Sequence, residues 1–313
     1  MPTEDPELAT VVGALKSVAE PTRLRLLALL RHGELTVGEL CQILGQSQPR
    51  VSRHLRLLAE AGFLDRFREQ QWVYYRAPVS GARLEWLREL LRHTDVARPA
   101  LLRDEQRMNQ VVAERALSAE QQLSQLPDAI GSGDTHSQVT AVLQEAIGPV
   151  EVGALLVIGT RAGRMLQILA PRATQALGLD RSTPALRLAR ARLHGAGLSH
   201  CECRCADIYA LPCEDHSFDT VSMDRVLATA EQPGAAVAEA ARALRDNGQL
   251  IIMEHYDHLE SMLGGSPLRL LGAWLVASGL TLVRIRSCEL DDGRYVVALA
   301  RHKTPDGAAA EPA

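Results

Sequence analysis

The stretch Leu44-Gly45-Gln46-Ser47-Gln48-Pro49-Arg50-Val51-Ser52-Arg53-His54-Leu55-Arg56-Leu57-Leu58 admits few folds, because a glycine turn opens directly onto a helix with two unlike faces. Val51, Leu55, Leu58 and Ala59 recur at helical spacing and make the buried stripe. The other face and the first turn supply the candidate nucleic-acid contacts Ser47, Gln48, Arg50, Ser52, Arg53, His54 and Arg56. Arginine forks onto guanine, glutamine onto adenine, and serine hydroxyls near a helix start bind phosphate, which is the chemistry a helix in the major groove requires. An ordinary solvated amphipathic helix presents similar residues, so the flanking sequence has to decide.

Upstream, Pro21 to Arg31 reads as a helix with proline in its first turn and Leu24, Leu27 and Leu30 on a buried stripe, closed by Gly33. Thr36 caps a second helix, Val37 to Leu44, with Glu39 completing a capping box. Helix, turn at Gly45 and helix therefore follow one another directly. After Gly62 the period changes to that of strands. Phe63–Arg68 and Trp72–Arg76 flank Glu69-Gln70-Gln71 as a β-hairpin, and Arg66 and Arg68 on it are further candidate DNA contacts. The whole is a winged helix-turn-helix. Between Glu20 and Arg76 stand nine arginines against six acidic residues, whereas the full chain has a net charge of −4. One DNA-facing module joined to a more acidic one accounts for that imbalance.

With "LGQSQPRVSRHLRLLAEAGFL" and "WVYYR" in place, residues 8 to 95 resemble the ArsR/SmtB family of winged-helix repressors. The resemblance implies a homodimer paired through its first and last helices, Leu8 to Val18 and Gly81 to His93, with two recognition helices presented to double-stranded operator DNA. Many metal-sensing members carry two cysteines in the segment matching Glu34 to Leu40. None stands there in this chain, and the nearby Cys41 is single, so no metal is expected at that helix.

The length of 313 residues calls for more than one core, and 46% hydrophobic with 23% charged residues describes globular domains. No apolar run approaches the roughly 18 residues of a membrane span, and no leader pattern is seen, so the expectation is a cytoplasmic protein with no membrane partner. Six cysteines in so long a chain read as reduced thiols. The expected divisions are a DNA-binding and dimerisation domain at 1–95, a helical linker at 96–135 broken by Pro127 and Gly131 to Asp134, a second domain at 136–302 and a disordered tail at 303–313.

That second domain opens with an apolar strand, Gly153 to Ile158, which runs into Gly159-Thr160-Arg161-Ala162-Gly163 and then a helix. Another strand ends in Asp180 about twenty residues later, where a carboxylate can accept from ribose hydroxyls. Cys201 to Ala206 and Phe218 to Met223 read as further strands, and the alternation implies a doubly wound parallel α/β sheet. With "ALGLDRSTPALRLARARL", "ADIYALP", "SFDTV" and "EAARALRDNGQLIIMEH", residues 150 to 300 resemble class I S-adenosylmethionine-dependent methyltransferases. The resemblance implies S-adenosylmethionine or S-adenosylhomocysteine as cofactor. Gly159, Thr160 and Gly163 would face its methionine part, Asp180 with Arg181 its ribose, Asp207 with Ile208 its adenine, and Asp224 the reacting methyl.

Two departures weaken the enzyme reading. Where such loops have an acidic residue for the ammonium group and a central glycine, this chain has Val157 and Arg161. The catalytic residues are therefore left unassigned. Cys201, Cys203 and Cys205 alternate along one strand face, either as a row of sulfur ligands or, on the simpler reading, as small buried hydrophobes. The sequence thus points to a DNA-binding regulator whose methyltransferase-like domain takes a small ligand. The alternative is an active methyltransferase with a DNA-binding head.

Overall fold

In a computed structural model, which describes residues 6–93, 99–124, 135–148, 151–263, 266–291 and 293–302, the chain divides into two units. One comprises Met1–Ala119 with Arg190–Glu202, the other Glu120–Ala189 with Cys203–Ala313.

The first unit runs α1 (Pro6–Val18), α2 (Pro21–Leu30), β1 (Leu35–Thr36), α3 (Val37–Leu44), α4 (Gln48–Glu60), β2 (Asp65–Glu69), β3 (Trp72–Arg76), α5 (Ala82–His93) and α6 (Pro99–Leu123). Thr36 and Glu39 form the capping box at the start of α3, and Gly45 ends that helix in the left-handed region at φ +65°. That one residue turns the chain so that α4 can start three positions later. Leu26, Leu27, Leu40, Ile43, Val51, Leu55 and Leu58 are fully buried, each contributing about 1.5–3 kcal/mol by leaving water. The short strand β1, which the sequence did not suggest, pairs with β3 in a three-stranded sheet of order β1-β3-β2. Glu69 pairs with Trp72 across the hairpin, leaving Gln70-Gln71 as a two-residue turn with Gln70 at φ +52°.

Two features of this unit differ from the sequence reading. Met108, Val111 and Val112 of α6 are buried in the same core as Leu26 and Leu55, and Arg25 Nε reaches the buried Asp104 carboxylate at 2.6 Å. The segment expected to be a connector over 96–135 is thus integral to this unit as far as Ala119. Second, Glu69 is not at a solvated wing tip but 4% exposed. It accepts from Arg190 Nη2 at 2.6 Å, and Arg190 also donates to Glu34, which lies 3.4 Å from Arg76 Nη1. Arg190 stands over the Tyr74 ring, 4.2 Å from its centroid. All four charged groups are at most 5% exposed.

The second unit is built from α7 (Thr135–Ile147), β4 (Gly153–Ile158), α8 (Arg164–Leu169), β5 (Ala173–Asp180), α9 (Thr183–Gly195), β6 (Cys201–Cys205), β7 (Phe218–Asp224), α10 (Pro233–Ala243), β8 (Leu244–His255), α11 (Tyr256–Leu263), α12 (Pro267–Ala277), β9 (Leu280–Leu290) and β10 (Gly293–His302), except that α9 from Arg190 onward and β6 up to Glu202 fall in the first unit. Its sheet has the order β6-β5-β4-β7-β8-β10-β9. The pairs β4–β5, β4–β7 and β7–β8 are parallel, while β10 is antiparallel to both β8 and β9. Leu156, Ile158, Val221, Met223, Leu250 and Ile252 are at most 1% exposed, as strands covered on both faces require. The succession moves outward from β4 in both directions, which places a switch point, and with it a crevice, beyond the carboxyl ends of β4 and β7.

Cys201 and Cys203 are buried, but Cys205, at the end of β6, is exposed. Burial pushes the Cys201 thiol up to about 12, a protonated small hydrophobe at neutral pH. Among the described residues no three His, Cys, Asp or Glu side chains are grouped as a metal site would need. Nor is any described helix long and apolar enough to cross a membrane. The breaks expected at Pro127 and Gly131 to Asp134, and the tail 303–313, lie outside the described residues.

Candidate nucleic-acid interface and ligand crevice

Helix α4 buries Val51, Leu55 and Leu58 completely, and this fixes what the opposite side shows. Ser47, Gln48, Arg50, Arg53 and Arg56 are exposed, and Ser52 is half-buried. No carboxylate lies within ion-pair distance of Arg50 or Arg53 among the described residues. Arg56 pairs with Glu60 at 3.8 Å, both strongly exposed, a contact worth about 0.3–0.5 kcal/mol and easily exchanged for a phosphate. His54 is placed differently from its neighbours. Its side chain is 13% exposed and its Nδ1 lies 3.7 Å from Glu20, the N-cap of α2. Burial, opposed by Glu20 and reinforced by Arg23, Arg50 and Arg53, lowers its pKa, so the structure sets it against the scaffold. On β2, Arg66 and Arg68 are exposed on one face. Arg68 Nε donates to the Gln70 carbonyl at 3.0 Å, holding the turn. Phe67 faces the other way and stacks on Tyr74 with centroids 5.3 Å apart.

In the second unit the loop after β4 is anchored by the backbone N–H groups of Gly159 and Thr160, both donating to Leu179. Gly159 has φ +78°, and a Cβ there would stand 2.7 Å from the Asp224 carbonyl oxygen and 2.3 Å from Val226. Its missing side chain serves contact between the loops that follow β4 and β7. Thr160, expected to face a cofactor, is 1% exposed, with its hydroxyl donating to Val157. Gly163, at φ +86°, makes room for Ala189 of α9. Asp180 accepts from the backbone N–H of Arg161 at 2.7 Å and of Ser182 at 2.8 Å. Arg181 and Asp207 are exposed and Ile208 is half-buried, with Asp207 accepting from Tyr209 N–H.

Sequence reasoning missed the cationic side of this crevice. Asp224 is 1% exposed and lies 3.3 Å from Arg164 Nη2 and 3.4 Å from Arg225 Nε. Arg161 adds a third guanidinium, whose pKa burial and the nearby Arg225 depress while Asp224 and Asp180 pull it up. Arg161 and Arg225 both have positive φ, +49° and +53°, a conformation costing about 1–2 kcal/mol without glycine. The arginine at the expected glycine position was legible, with Arg164 close behind it; Arg225 joining them depended on the sheet order.

Glu254, fully buried at the end of β8, accepts from Val226 and Leu227 N–H at 2.5 and 2.6 Å. Burial, with Asp224 adding, pushes its carboxyl from about 4.5 up to about 7 against the pull of those N–H groups. The folded state therefore binds the proton more tightly than the unfolded one. The stability this group contributes is fully present below about pH 4.5 and is lost as pH rises through 7, a change of about 3 kcal/mol. Glu254→Gln should flatten that slope in urea midpoints measured from pH 4.5 to 7.5; an unchanged slope would contradict this assignment.

The residues present fit S-adenosylmethionine only in part. Asp180 offers a ribose acceptor, but the ammonium end finds Val157 in place of a carboxylate and three guanidiniums nearby. The ammonium of that cofactor does not fit beside these guanidiniums, although its carboxylate would.

Comparisons with known proteins agree with the geometry. Residues 20–66 match the family described as bacterial regulatory protein, arsR family, and residues 156–252 match the family described as methyltransferase domain. The arsenic resistance transcriptional regulator ArsR1 of Pseudomonas putida is 49% identical over 71 residues, 22% of this chain and 56% of that protein. ArsR2 of the same organism is 39% identical over 98 residues, 31% of this chain and 84% of that protein. The arsenical resistance operon repressor of Escherichia coli is 50% identical over 62 residues, 20% of this chain and 53% of that protein. The chain thus spans about half the length of two of these relatives. Among solved structures, the N-methyltransferase NodS from Bradyrhizobium japonicum, in complex with S-adenosyl-l-homocysteine, aligns with a TM-score of 0.48 at 20% identity, covering 60% of this chain and 98% of that one.

Fold and site together define a winged helix-turn-helix protein carrying a second, Rossmann-like domain of methyltransferase type. The chain belongs to the arsR family of bacterial regulatory proteins.

Proposed function

We propose that this protein is a transcriptional regulator that binds double-stranded operator DNA as a homodimer through α4 and the β2–β3 wing, working in the cytoplasm. The second domain serves as its ligand-binding part. The observation that carries the reading is the outward row Gln48, Arg50, Arg53 and Arg56 on a helix whose other face is fully buried. Those guanidiniums are free to fork onto guanine or to neutralise phosphate. The dimer is supported by α1, which leaves Leu8 62% and Leu15 53% exposed beside Val11 and Val12. So large an apolar face on one helix is what a subunit contact covers.

Helix α4 and the wing together would span a groove and its flanking backbone, with Ser47 and Gln48 at the entering end. The alternative of a working methyltransferase is less well supported, since the loop after β4 lacks the acidic residue and buries Thr160.

A mobility-shift titration with the DNA upstream of the protein's own coding sequence tests the reading. The wild type should prefer that DNA to a scrambled duplex. Arg50→Ala or Arg53→Ala should weaken binding about tenfold to a hundredfold each, in line with about 1–3 kcal/mol for a base or phosphate contact. Equal affinity for both duplexes would reject it.

A further inference from the structure

We infer that the crevice beyond β4 and β7 is an anion site, in which Arg161, Arg164 and Arg225 receive the phosphate group of a small ligand. The inference rests on reading the second unit as a ligand-binding domain, yet it is independent of DNA binding.

Three observations converge on it. Arg161 and Arg164 stand close together in the loop after β4 and at the start of α8, and the parallel pairing of β4 with β7 brings Arg225, from the loop after β7, to the same switch point. Such crevices are where open α/β sheets take their ligands. Second, Arg161 and Arg225 both hold left-handed backbone at the tips of neighbouring parallel strands. Strain of that kind persists where surrounding structure enforces it, and it gathers at binding sites. Third, the guanidiniums gather around Asp224 and Asp180. Asp224 lies beside Arg164 and Arg225, and Asp180 is engaged by the backbone N–H groups of Arg161 and Ser182. Arg161 Nε is buried without a hydrogen-bond partner. Glu254 points instead at Val226 and Leu227, and burial pushes its carboxyl up to about 7. An arginine-rich, largely desolvated cluster with an unpartnered Arg161 Nε is suited to receive an incoming anion.

The same chemistry disfavours S-adenosylmethionine, a net cation whose sulfonium and ammonium outweigh its single carboxylate. A phosphate reaching these arginines could be free or carried on a nucleoside whose ribose meets Asp180, and the two sources are separable by experiment.

Calorimetry on the full chain with inorganic phosphate, adenosine 5′-monophosphate, adenosine and S-adenosylmethionine tests the inference. At least one phosphate-bearing probe should bind tenfold or more tightly than S-adenosylmethionine or adenosine. Tenfold tighter binding of the nucleotide than of inorganic phosphate identifies a nucleotide as the source, and equal binding identifies a free oxyanion. Arg161→Gln should lower the affinity of the tighter probe at least tenfold with unchanged circular dichroism, while Arg161→Lys retains part of it. If Arg161→Gln does not fold, Arg225→Gln gives the same reading. The inference is overturned if neither phosphate probe binds, if S-adenosylmethionine binds as tightly as both, or if the folded glutamine variants keep full affinity. A normal mobility shift beside such a failure would leave the DNA-binding reading standing.

Discussion

Glu34→Ala is expected to destabilise the first unit by about 3–5 kcal/mol, the penalty for leaving buried charge without its partner. Glu34 joins Arg76 at 3.4 Å and also accepts from Arg190, with all three at most 5% exposed. Removing it takes one carboxylate from each guanidinium: Arg190 keeps Glu69 at 2.6 Å, and Arg76 keeps Glu202, 3.3 Å away, and the Cys201 carbonyl. Water cannot readily reach either guanidinium to compensate. The measurement is urea unfolding followed by tryptophan fluorescence in a Trp274→Phe background, so that Trp72 and Trp86 of the first unit report alone. Glu34→Gln, which keeps an acceptor in place but not the charge, should fall between wild type and alanine. A loss under about 1 kcal/mol for Glu34→Ala would show that these groups are hydrated, as at exposed pairs.

Gly159→Ala is expected to cost about 2–4 kcal/mol in the second unit, from two separable sources. The first is the left-handed backbone at φ +78°. The second is overlap, since the new methyl would lie 2.3 Å from Val226 Cγ2 and 2.7 Å from the Asp224 carbonyl oxygen. Val226 can rotate away, but the carbonyl moves only if the loops after β4 and β7 part. Gly148→Ala isolates the first source, because Gly148 has φ +71° with open space around it. Urea midpoints read from Trp274 should drop clearly more for Gly159→Ala than for Gly148→Ala. Equal losses would mean that the two loops yield without resistance.

What was legible in the chain follows from how local each determinant is. Helix α3 runs from Val37 to Leu44 as read, because Thr36, Glu39 and Gly45 specify both ends within ten residues. Strands β4 and β7 were visible as short apolar runs buried on both faces. By contrast, β1 is only two residues long and owes its existence to β3 forty positions later. The inward turn of Glu69 was hidden for a similar reason: its partner Arg190 is 121 residues away. On the recognition helix the exposed arginines could be read from periodicity, but His54 could not be set apart from them without Glu20 beside it. In the crevice, Asp180 and the glycines were found from spacing, whereas the burial of Thr160 and the meeting of Arg225 with Arg161 and Arg164 required the strand order.

Helix α6 sets where the DNA-binding part can be cut from the rest. A fragment ending near residue 95 would strip away Met108, Val111 and Val112 and orphan Arg25 from Asp104. Its freshly bared apolar floor would make it sticky in solution. Any dissection meant to study operator recognition by itself must carry the chain through at least Ala119.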